Sequence, residues 1–64
     1  MTWTIMERRG AVTIWESRDA DGSLRFTVTF NCAGEPVRPA MNCEGSPSVK
    51  AAFRAAERGD VGIE

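Results

Sequence analysis

The chain has 64 residues, two cysteines, no histidine and a formal net charge of −1 from eight basic and nine acidic side chains. A chain this short makes one domain and buries only about 60% of its unfolded surface, so its core is small. The mixed charge gives no whole-molecule field to draw in DNA or an anionic membrane, general acid–base chemistry lacks its commonest residue, and no apolar run approaches the roughly 20 residues of a membrane-spanning helix.

Thr2-Trp3-Thr4-Ile5-Met6-Glu7-Arg8 alternates apolar and polar side chains, the period of a strand with one wet face. Ala11-Val12-Thr13-Ile14-Trp15-Glu16-Ser17 alternates likewise and sets Val12 and Ile14 on one face. In Leu24-Arg25-Phe26-Thr27-Val28-Thr29-Phe30 the four apolar residues share a face. Val12 and Ile14 opposite Phe30 and Val28 require paired positions with an even sum and an odd-length loop. Ala20-Asp21-Gly22 supplies it, as a type I turn followed by a left-handed residue that glycine adopts freely. Bringing Trp3 and Ile5 onto that same face needs an odd sum, hence an even-length turn around Arg9-Gly10. The expectation is a three-stranded antiparallel meander over residues 2–31. Its buried face holds Trp3, Ile5, Val12, Ile14, Leu24, Phe26, Val28 and Phe30; the other holds Thr2, Thr4, Met6, Thr13, Trp15, Ser17, Arg25, Thr27 and Thr29.

Residues 32–45 form a long loop broken by Gly34, Pro36, Pro39 and Gly45. Structureless connections beyond about 12–15 residues are uncommon in compact domains and are usually functional or mobile. Val37 and Met41 can pack as a lid on either sheet face, leaving Glu35, Arg38 and Glu44 wet. Two arrangements are open for Trp15, which lies centrally on the second face between Thr4 and Thr27: an exposed binding anchor, or a side chain under the loop.

Ser46 as N-cap and Pro47 at the first helical position predict a helix over 46–58, closed by Gly59. Val49, Ala52, Phe53 and Ala56 recur at helical spacing as one apolar stripe for the sheet, with Lys50, Arg54, Glu57 and Arg58 opposite as a solvated face. Residues 59–64 are a short tail whose Val61 and Ile63 alternate, to add to a sheet edge or fray. The fold class is α+β, of order βββα.

Little chemistry is equipped. No base stands beside a nucleophilic Cys, a four-ligand zinc site would need carboxylates beside Cys32 and Cys43, and Asp19 and Asp21 fail as a calcium loop because its twelfth position is Val28. We expect no enzyme activity, no cofactor and no metal. The N-terminus lacks the basic and apolar regions of a signal peptide, which places the expected location in the cytoplasm with reduced cysteines.

Three strands and a final helix, with Arg18-Asp19 and Gly22 at the second turn, aromatic and Val alternation in the third strand and the Ala-rich stretch 49–58, resemble the small DNA-binding domains of the AP2 and integrase arm-binding type. That resemblance implies a sheet laid in the major groove, with Arg8, Trp15 and Arg25 as the nucleic-acid-binding residues. As a tiny, Arg-rich chain without catalytic residues, the protein is also similar, at the level of class, to the small accessory proteins of phages and mobile elements, anti-CRISPR proteins among them. That second likeness implies a stoichiometric inhibitor in the host cytoplasm, occupying a surface of a host protein complex that handles nucleic acid. Acids at Glu7, Glu16, Asp19, Asp21, Glu35 and Glu44 would repel a phosphate backbone, which favours a protein partner. The expected contact patch is Met6, Trp15, Arg25, Glu35, Val37, Arg38 and Met41. A homodimer through the same sheet face is the third reading.

Overall fold

The second hairpin forms as its alternation dictates. In the computed structural model, which describes residues 2–59, β1 (Thr4–Arg9), β2 (Val12–Arg18) and β3 (Leu24–Phe30) make one antiparallel sheet in that order, followed by α1 (Val49–Glu57). Val12 pairs with Phe30 and Ile14 with Val28. The loop closes where the Asp19 N–H donates to Ser23 O at 2.8 Å; inside it the Gly22 N–H donates to Asp19 O at 2.9 Å, and Gly22 takes φ +90°.

The first hairpin departs from the expected register midway. Arg9 pairs with Val12 and Glu7 with Ile14, an odd sum across a turn of even length, but Ile5 pairs with Trp15 and Thr4 with Glu16. A β-bulge at Met6 inserts one extra residue, and a slip of one residue exchanges the two faces of everything beyond it. Trp3 and Ile5 therefore do not join Val12 and Ile14. They fall on the Trp15 face, where Trp3 is only 4% exposed.

The core of the helical face is Ile14, Val28, Ala52 and Ala56, with Val12, Phe26, Val49 and Phe53 packed around it. This is the predicted stripe on the predicted face. Two positions expected to be buried there, Leu24 and Phe30, are about half exposed because α1 is too short to reach them. Nine helical residues span roughly 14 Å, against about 23 Å for the seven residues of β3.

The helix also starts later than its sequence suggests. Ser46 is not the N-cap: its N–H donates to Phe26 O at 2.7 Å and its carbonyl accepts from the Phe26 N–H at 2.8 Å, so it bridges to the outer edge of β3. Ser48 takes the cap in extended conformation, with its Oγ accepting from the Ala51 N–H at 3.1 Å. Gly59 ends the helix, its N–H bonding to Ala56 O at 3.0 Å. The tail with Val61 and Ile63 lies outside the described residues.

Candidate functional site

The second sheet face is hydroxyl-rich, and it is covered. Thr13, Trp15, Ser17, Thr27 and Thr29 are all buried. β-branched threonines suit a strand, and their hydroxyls are used: Thr13 Oγ1 donates to Asn31 Oδ1 at 2.7 Å, Thr29 Oγ1 accepts from Trp15 Nε1 at 2.9 Å, and Thr27 Oγ1 accepts from Cys43 Sγ at 3.5 Å. Trp3 Nε1 and Ser17 Oγ, on the same face, are buried without a hydrogen-bond partner among the described residues. Trp15 is 3% exposed, so it is not an open anchor. Of its two arrangements the loop cover is the one adopted.

The loop over residues 31–45 lacks regular structure except at a tight turn, where Cys32 and Glu35 exchange N–H donors at 2.9 Å, and at a second turn closed by the Cys43 N–H on Ala40 O at 3.0 Å. Three arginines fasten it. Arg8 Nη2 donates to Gly34 O at 3.0 Å. Arg25 donates through Nε to Glu44 O at 3.1 Å and through Nη2 to Gly45 O at 2.8 Å. Arg38, from the loop itself, donates to Trp3 O at 3.1 Å and lies 5.3 Å from the Trp15 ring centroid, within cation–π range. Gly45 seals the far end, with φ +73° and no room for a side chain against Trp3 and the Phe26 carbonyl.

The expected contact residues thus separate into two sets. Trp15, Arg25 and Arg38 hold the loop down, with Val37 half-buried beside them; Glu35 and Met41 are carried on its outer surface, and Met41 is fully exposed. Met6 stands apart at the bulge of β1. Of the residues expected to read DNA, Arg8 stays exposed and Arg25 half-buried, both donating to loop carbonyls, and Trp15 lies underneath. Sequence reasoning missed Gly45 and Ser46, whose roles come from contacts with Trp3 and Phe26 far along the chain.

An open cleft of about 600 Å³ sits at the start of β1, lined by Thr2, Thr4, Glu16, Ser17, Arg18 and Leu24 among others. Glu16 and Ser17 are consecutive on one strand and point to opposite faces. That carboxylate is not placed to take the Ser17 proton. Arg18 Nη1 is committed to Gly22 O at 2.7 Å. Neither cysteine is in a disulfide; Cys32 is exposed and Cys43 partly covered. No helix among the described residues is long and apolar enough to cross a membrane.

Comparison with protein-family models, with curated proteins and with solved structures finds no match.

Proposed function

We propose that this chain is a non-enzymatic protein-binding module that presents the outer surface of its arginine-fastened loop to a partner. The observation that carries the reading is Met41, an apolar side chain wholly in water at the tip of an irregular loop whose backbone is tied to a sheet. Loops positioned by a rigid scaffold are where binding residues concentrate, and a loop already held in one shape loses less entropy on binding than a mobile one. Methionine suits the task because its flexible, polarizable chain fits an imperfect apolar pocket. Asn42 and Glu44, exposed and close to Met41 in the chain, are polar.

The finer reading is a stoichiometric inhibitor of the anti-CRISPR kind that occupies a surface of a host nucleic-acid-handling complex. Its support is the small size, the mixed charge and the lack of His, together with a surface built for contact. The DNA-binding reading has less support, because Arg8, Arg25 and Trp15 all serve the loop.

The test is a tagged pull-down from bacterial lysate, with and without nuclease, comparing the parent chain with Met41→Ala. The module retains a nuclease-resistant protein that the variant loses while its thermal melt stays unchanged. Equal retention by both chains would remove the loop from the interface, and material lost on nuclease digestion would return the question to nucleic acid.

A further inference from the structure

β1 is an edge strand, and all six of its residues are exposed. Its last turn of chain fixes which backbone groups face outward. Gly10 has φ +58°, whereas Ala11 is not among the positive-φ residues, the signature of a two-residue type II′ turn. In such a hairpin the flanking pair, Arg9 and Val12, exchanges hydrogen bonds. The next pair, Arg8 and Thr13, does not, and the one after it, Glu7 and Ile14, does again. The N–H and C=O of Arg8 therefore point away from β2 toward the open edge. No loop, turn or cap backbone among the described residues bonds to them.

Charged residues normally protect such an edge. Here their order does the reverse. Glu7 and Arg9 share the helical face and already pair within the chain, Arg9 Nε to Glu7 Oε2 at 2.9 Å and Nη2 to Oε1 at 3.1 Å. When two antiparallel copies of this strand meet across a two-fold axis through Arg8, the Arg8 backbones exchange N–H and C=O. Glu7 of each copy then stands opposite Arg9 of the other, at the closely spaced, non-hydrogen-bonded positions. The axes through Glu7 or Arg9 would instead set like charges against each other. The bulge at Met6 lies on the far side of Glu7 and leaves the stretch from Glu7 to Arg9 regular. In that register Met6 faces Gly10, which has no side chain to obstruct it. The Arg8 guanidiniums, the one like-charged pair at the axis, are each drawn aside to Gly34 O of their own loop.

We propose that a second copy of this chain pairs along β1 in the register centred on Arg8, continuing the sheet and joining the two Glu7–Arg9 pairs into a ring of alternating charge. The ladder is short and its area lies below that of a standard stable interface, so association is weak and concentration-dependent.

Sedimentation equilibrium up to millimolar concentration tests this, with the Arg8 amide exchange rate followed alongside. The parent rises from 7.0 kDa toward twice that mass, and Arg8 amide exchange slows as the mass increases. Glu7→Arg alone and Arg9→Glu alone each remain monomeric. Mixed in equal amounts they associate again, because each supplies the charges the other lacks, whereas neither can restore its own internal pair. A parent that stays monomeric overturns the proposal. So does association without slowing at Arg8, or a mixture that fails to associate while the parent does.

Discussion

Replacing Gly45 with alanine tests whether the loop is a fitted layer or a loose cover. The substitution brings two costs that can be separated. At φ +73° an L side chain meets its own backbone, at about 1–2 kcal/mol. The new methyl would also lie 2.7 Å from Trp3 Cη2 and 2.9 Å from Phe26 O, closer than carbon atoms tolerate. The Phe26 carbonyl cannot retreat easily, since it accepts the Ser46 N–H at 2.7 Å. Overpacking of this kind costs about 1–3 kcal/mol. Gly22→Ala is the control: φ is +90° there, but nothing lies within 4 Å of the added carbon, so it carries the conformational cost alone. In a domain of this size each kcal/mol moves the melting temperature by roughly 4–8 °C. Thermal and urea unfolding should place Gly45→Ala clearly below Gly22→Ala, with a change in near-ultraviolet circular dichroism as the Trp3 ring shifts. Equal losses in the two variants would refute a loop fitted against Trp3.

Three further outcomes follow from the same geometry. Trp15→Ala should cost about 3–5 kcal/mol as a large-to-small core change, enough to threaten folding of so small a domain; a melt close to that of the parent would show that the loop does not bury the indole. Arg25→Ala removes the donors to Glu44 O and Gly45 O and should expose residues 36–44 to limited proteolysis before the domain unfolds, whereas unchanged protection would mean that packing alone holds the loop. The Arg9 guanidinium lowers the Glu7 carboxyl below its ordinary 4.5, first by hydrogen bonding and then by charge, and the Ser23 backbone N–H lowers Asp21 below 3.8. Both contributions are therefore fully present at neutral pH. They are lost as acid protonates the unfolded chain ahead of the folded one. Glu7→Gln should flatten the fall in urea midpoint below pH 4.5, and an unchanged slope would remove Glu7 from that account.

What the sequence made legible was whatever one hairpin or one helix decides for itself. The Val12–Phe30 register follows from alternation and a three-residue loop, and the Ala52–Ala56 stripe follows from helical period; both need only near neighbours. The bulge at Met6 does not, because alternation through Trp3 and Ile5 reads the same on either side of an inserted residue. Ser46 looked like a cap for a similar reason. Its local chemistry is right for one, but the Phe26 backbone holds it in a bridge, and a long-range pair of hydrogen bonds overrides a local preference. The burial of Trp15 was equally hidden. Threonines flanking an indole fit an open face and a covered one alike, until Arg8 and Arg25 donate into the loop and Arg38 donates back from it to Trp3 O.

The bulge links both faces of this small sheet. α1 already fills the helical side over Ile14 and Val28, so an indole there would compete for that space. Slipping by one residue at Met6 moves Trp3 to the other side. There it lies against Gly45, and its carbonyl receives Arg38. What remains of β1 on the helical side is Thr4, Glu7 and Arg9, with the Arg9 guanidinium 5.5 Å from the Phe53 ring centroid. One inserted residue thus gives the loop an indole to close on and leaves a charged rather than apolar strand at the rim. The same displacement that builds the second layer also sets the alternating charges of the free edge.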